Sequence, residues 1–158
     1  MDLDNVFGLF GHNRNDIDPK KEMEARKELD LLKDTPKFKV GMFTKMIFNG
    51  INFRKQVVKF FTSSSAEIIG KDGLEEVGDY MMYTRAYFWI QDCNLKKEEW
   101  RNAVEYYSGD FGHIELITCL KLAIKHFEEL EEFERCAFLK NIQDYTENYL
   151  QTETPKEA

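Results

Sequence analysis

Residues 111–130 read FGHIELITCLKLAIKHFEEL, and this stretch decides the fold. Ile114, Ile117, Leu120, Ile124 and Phe127 recur three or four residues apart, with Phe111, Leu116, Ala123 and Leu130 beside them. Only a narrow stripe of Glu115, Thr118, Lys121, Lys125 and Glu128 is polar. A helix that is apolar over most of its circumference belongs at the centre of a bundle. A second helical pattern runs from Glu132 to Leu150 and offers Phe133, Ala137, Ile142, Tyr145 and Tyr149 as a partner face. The two patterns predict an αα-hairpin that ends an all-α, compact bundle of six to seven helices.

Upstream, the same periodicity recurs between breaks. Asp18-Pro19 supplies an N-cap followed by proline in the first turn, and predicts a helix to about Lys33 with a modest apolar face of Met23, Ala25, Leu29, Leu31 and Leu32. Thr35-Pro36 repeats that chemistry ahead of Phe38, Met42, Phe43, Met46 and Ile47. Asn49-Gly50 is read as a stop, with a new helix over 52–62 whose polar stripe is Asn52, Lys55, Gln56, Lys59 and Thr62. The alternative is an α+β fold with a hairpin around residues 42–61, because Asn-Gly between apolar runs is also a hairpin signal. Ser63-Ser64-Ser65 and Gly70-Lys71-Asp72-Gly73 are breaks. Asp72 with Glu75 suggests a capping box that opens a ring-rich helix to about Asp92. Asn94 and Asp110 are read as caps of the next two helices. The domain boundaries follow: residues 1–17 a tail with a short apolar motif, 18–150 a single helical domain, 151–158 a polar tail.

The run Phe127-Glu128-Glu129-Leu130-Glu131-Glu132-Phe133-Glu134-Arg135-Cys136-Ala137 resembles the turn of helical-hairpin modules of the tetratricopeptide or UVR type. The likeness covers one hairpin of about 37 residues. It lacks the glycine and closing proline of the tetratricopeptide pattern, and no repeat of fixed period is present. It is a shared way of packing two helices, and what it implies is a protein-binding scaffold.

A chain of 158 residues with 14% aromatics can bury a core without disulfides or metal. Cys93, Cys119 and Cys136 give neither a disulfide framework nor a zinc spacing, and are expected to be reduced in a cytoplasmic protein. Asp2 and Asp4 stand where a signal peptide would carry basic residues, and no run is long enough to span a bilayer. Charge is lopsided: residues 1–36 carry a net −3, 37–73 a net +5 and 74–158 a net −9 within the total of −7.

No catalytic residue, cofactor site or metal site is identified, so the chain is read as a non-enzyme. His12, His113 and His126 do not form a metal-ligand spacing, and Cys119 or Cys136 beside His126 would lie among apolar groups that raise a thiol's pKa. A pocket for a small ligand among the bundle aromatics is a third possibility with no motif behind it. Three features point to a partner. Phe7, Leu9 and Phe10 are too apolar for an idle tail. They either tuck into a groove of their own domain or act as a linear motif. Lys45, Arg54, Lys55 and Lys59 lie in the basic segment 37–59, with phenylalanines interleaved. Such a segment complements an acidic protein surface or follows a nucleic-acid backbone. Tyr83 and Tyr87 are candidate anchors, since tyrosine is favoured at interfaces. The expected function is a helical adaptor or assembly protein that binds a protein partner or itself. The alternative is a nucleic-acid-binding accessory or regulatory protein that uses 37–59. No membrane partner is expected.

Overall fold

A computed structural model describes residues 18–63, 71–109 and 113–153. The described chain is all-α: α1 (Pro19–Lys33), α2 (Pro36–Ser63), α3 (Lys71–Ile90), α4 (Glu98–Ser108), α5 (His113–Glu129) and α6 (Phe133–Glu153). The phenylalanine motif at Phe7, Leu9 and Phe10 lies outside the described residues.

The two cap-plus-proline starts behave as the sequence predicts. The Asp18 carboxylate accepts from the Lys20 N–H at 3.0 Å, and the Thr35 hydroxyl oxygen accepts from the Phe38 N–H at 3.3 Å. Beyond Pro36 the prediction of a stop at Asn49-Gly50 is corrected, and with it the hairpin alternative. α2 runs unbroken for 28 residues. A helix-interior glycine costs about 1 kcal/mol relative to alanine, and here packing outweighs that cost. A Cβ at Gly50 would collide with the Met82 thioether of α3, and one at Gly41 with the Tyr107 hydroxyl of α4. The glycines are where two neighbours press against α2. They do not break it.

α2 is the central rod. α3 packs along it most extensively, α4 and α5 also lie against it, and α1 packs lightly on it. The α5–α6 hairpin closes the core. Val40, Phe43 and Ile47 of α2 meet Ala86 and Ile90 of α3, Val104 of α4, Leu116, Leu120 and Phe127 of α5, and Leu139 and Ile142 of α6 in one buried cluster. Each such side chain contributes roughly 1.5–3 kcal/mol by leaving water. No residue of α1 is buried, and its Met23, Leu29 and Leu31 remain exposed.

The hairpin turn is built from backbone hydrogen bonds. The Glu132 N–H donates to the Phe127 carbonyl at 2.9 Å and the Glu131 N–H to the Glu128 carbonyl at 3.0 Å. This is a Schellman closure, with Glu131 in the left-handed region at φ 59°. The closure sets the phase of α6. Its inner face is Cys136, Leu139, Ile142, Gln143 and Thr146, which keeps Ile142 of the predicted row, with Tyr145 packed at its margin, and turns Phe133 and Ala137 outward. Phe133 is 65% exposed and Ala137 is exposed. Two predicted starts also move. α4 begins at Glu98, because the Asn94 side chain closes a separate turn onto the Lys96 N–H at 3.0 Å. α3 begins at Lys71, which leaves Asp72 inside the helix.

Candidate protein-interaction surfaces

The basic segment is folded into the bundle more than its sequence suggests. Arg54 Nη1 donates to both carboxylate oxygens of Asp79 at 2.7 Å, tying α2 to α3. Lys39 Nζ reaches Asp92 at 3.3 Å, and Lys37 Nζ lies 3.5 Å from the centre of the Tyr106 ring. Both acidic partners come from the acid-rich part of the chain, so the fold itself satisfies part of the charge asymmetry. Lys45, Lys55 and Lys59 stay exposed on α2. Phe43 is fully buried, and Phe38 and Phe48 are half-buried. Phe38 packs edge-on against Trp89 at 5.7 Å. Rings held this way do not lie open for bases to stack on.

Beside Lys45 runs a groove of about 560 Å³ between α2, α4 and α5. Phe38, Met42 and Phe48 line it, Tyr107 closes one side, and Lys45 and Glu115 stand at its edge. Burial pushes the Tyr107 phenol above its ordinary pKa.

The tyrosines chosen from the sequence face inward. Tyr83 is 8% exposed and stacks on His126 at 4.4 Å. Tyr87 is half-buried, edge-on to Phe127 and Phe138 at 5.7 and 5.8 Å, with the Arg135 guanidinium 4.9 Å from its ring centre. Both belong to the packing of α3 on the hairpin.

The exposed apolar side chains of α3 are on the opposite side. Val77 is 58%, Met81 50% and Phe88 63% exposed. Their separations of four and seven residues put them on one helical face, opposite Tyr83, Ala86 and Ile90. Tyr80 flanks the row and is also exposed. The exposed Arg85 borders this row beside Met81. Sequence reasoning missed the row because it selected rings by residue type and ignored helical phase. The spacing of Val77, Met81 and Phe88 against Tyr83, Ala86 and Ile90 was the available signal.

The comparisons have no family to add. Neither protein-family models, nor curated proteins, nor solved structures give a match.

The thiols are not activated nucleophiles. Cys93 and Cys119 are buried, and desolvation pushes each up to about 12. Cys119 Sγ donates to the Thr44 carbonyl at 3.5 Å and Cys136 Sγ to the Ile124 carbonyl at 3.6 Å. His126, which shares a helix face with Cys119, is engaged by Tyr83 instead. Among the described residues no three His, Cys, Asp or Glu side chains converge as a metal site. No described helix is long and apolar enough to cross a membrane.

Proposed function

We propose that this chain is a non-enzymatic helical adaptor or assembly protein that works through protein–protein contacts, with the outward face of α3 as its principal contact surface. One observation carries the reading. A helix in the middle of the packing, covered on one side by α2 and the hairpin, holds out an uncharged row of Val77, Met81 and Phe88 on the other. Single exposed apolar residues are ordinary, but an aligned row of large ones is the mark of a surface that another polypeptide covers. The exposed lysines of α2 and the groove beside Lys45 form a second surface, suited to acidic side chains at the margin of a contact.

The reading is tested by placing a photo-reactive amino acid at position 81 or 88, with position 140 on the exposed side of α6 as the control, in cells that make the protein. Polypeptide adducts are expected at 81 and 88 and not at 140. Equal or absent adducts at all three positions would overturn the reading. The nucleic-acid alternative is addressed by titrating single-stranded and duplex DNA and RNA at several salt concentrations. Binding that weakens steeply with salt and disappears in the Lys55→Glu/Lys59→Glu double variant would replace the adaptor reading.

A further inference from the structure

We propose that the groove between α2, α4 and α5 is the seat of the chain's own N-terminal motif, with Leu3, Val6, Phe7 and Phe10 on its apolar floor and Asp2 and Asp4 beside Lys45. The proposal goes beyond the adaptor reading and does not rest on it, since it concerns the groove of α2 and not the outward face of α3.

The groove sets the terms. Phe38, Met42, Lys45, Asn49 and Asn52 follow a four–three–four–three spacing along α2, so they lie on one face of that helix. From Phe38 to Asn52 this face is about 21 Å long. With Phe48 beside it and Tyr107 closing one side, it bounds about 560 Å³, within the range of cavities that take a ligand. The floor is apolar and the edge is charged. Lys45 and Glu115 stand there exposed, and among the described residues neither has an ion-pair partner. A fitting occupant brings apolar side chains, a carboxylate for Lys45 and a cation for Glu115.

The chain holds such a segment. Residues 1–14 read MDLDNVFGLFGHNR. Leu3, Val6, Phe7 and Phe10 are spaced i, i+3, i+4 and i+7, the pattern by which a short helix lays one apolar face into a groove. In that arrangement Asp2 and Asp4 fall on either side of the apolar face, and Asn5 and Gly8 opposite it. The rise from Leu3 to Phe10 is then about 10 Å, half the length of the groove. Arg14 follows, so the order is acid, apolar, base, and Lys45, the floor and Glu115 supply the complement. The net −3 of residues 1–36 against the net +5 of residues 37–73 has the sign this pairing needs.

Reach and tethering select the chain's own motif. α1 carries its start no more than about 22 Å from the turn that leads into α2, and the nine residues from Phe10 to Pro19 extend roughly 30 Å, enough to return to the groove. A linked segment faces its site at an effective concentration on the order of millimolar, so a motif too weak to be held from dilute solution is held here. A partner that uses the groove has to displace the motif first, which makes this surface a regulated one.

The test replaces Phe10 by the photo-reactive benzoylphenylalanine in the full chain and irradiates a mixture of isotope-labelled and unlabelled protein. Cross-links from position 10 to residues 38–52 or to Tyr107, joining peptides of one isotope only, are expected, with a yield unchanged on dilution. Cross-links between labelled and unlabelled chains would assign the groove to the motif of a second copy, and cross-links elsewhere or none would leave it without this occupant. Each of those results overturns the proposal. Lys45 is exposed, so Lys45→Glu leaves the core intact. It should lower the yield about threefold, and adding Asp2→Lys/Asp4→Lys in the same chain should restore it. An unchanged yield, or no recovery in the triple variant, would overturn the placing of the acids. Met42→Glu puts a charge on the apolar floor and should abolish the cross-link with unchanged helical circular dichroism, and full yield in that variant would overturn the seat. Photo-adducts at 81 and 88 report on α3 alone, so the adaptor reading stands or falls separately.

Discussion

At the scale of single residues, two positions hold conformations or charges that the fold makes unfavourable, and each yields a measurable effect. Glu131 occupies the left-handed region that closes the hairpin turn, where a side chain costs roughly 1–2 kcal/mol relative to glycine. Glu131→Gly should therefore raise the urea midpoint by an amount worth about 1 kcal/mol at an unchanged m-value. A lower midpoint would show that Glu131 is held by contacts that offset the strain. His126 is the second. Its Nε2 is buried with no hydrogen-bond partner among the described residues. Desolvation lowers its pKa from 6.5, against the opposing pull of Asp79, Glu129 and Glu132. Below pH 6.5 the unfolded chain thus takes up a proton that the folded chain still refuses. The unfolded state binds more protons, so this residue's share of stability falls as pH falls through that window. His126→Phe keeps a ring against Tyr83 and removes the titration. Melting temperatures from pH 7.5 to 5.5 should decline less in the variant than in the parent, and parallel declines would show that the imidazole is not withheld from protons.

At the scale of elements, the α5–α6 hairpin gives the clearest contrast between what sequence discloses and what only packing decides. Leu139→Ala should cost about 2–5 kcal/mol by opening a cavity on the inner face of α6. Phe133→Ala, a larger truncation on a mostly exposed side chain, should stay within about 0.5 kcal/mol. Chemical denaturation of the two variants checks the order, and the reverse order would restore the face read from the sequence. The helical character of α5 and its polar stripe were legible because five polar residues recur with helical period in an otherwise apolar run. Glu115, Lys121, Lys125 and Glu128 of that stripe are exposed as expected. The inner face of α6 was not legible, because apolar residues lie around much of that helix and the turn geometry at Glu131 selects among them. Asn49-Gly50 misled for a related reason. Its local signal is a stop, and the reason for its glycine, the Met82 side chain, lies 32 residues further on. The exposed row of α3 was within reach of the sequence, but only after the inner face of that helix was known.

At the scale of the whole molecule, charge decides between two modes of self-association. In the sequence the basic segment 37–59 reads as a complement to an acidic protein surface, which in self-association would be the acid-rich hairpin turn of another copy. The fold weakens that idea, because Asp79 and Asp92 already engage Arg54 and Lys39 within the chain. Lys45, Lys55 and Lys59 remain on the exposed side of α2, facing a molecule whose formal charge is −7. The two modes respond oppositely to salt. At 0.1 M the screening length is about 10 Å and at 1 M about 3 Å, so added salt removes the repulsion between two like-charged copies before it affects a buried apolar seam. If the assembly reading takes the form of self-association through the apolar row of α3, it should therefore tighten between 50 and 500 mM sodium chloride, and Lys45→Glu should weaken it only by raising the net negative charge. Dimerisation through α2 and the acidic turn should loosen over the same range and fail outright in Lys45→Glu/Lys55→Glu. Sedimentation at the two salt concentrations distinguishes them, because a uniform repulsion and a specific ion-pair attraction cannot both diminish and leave the same sign of change.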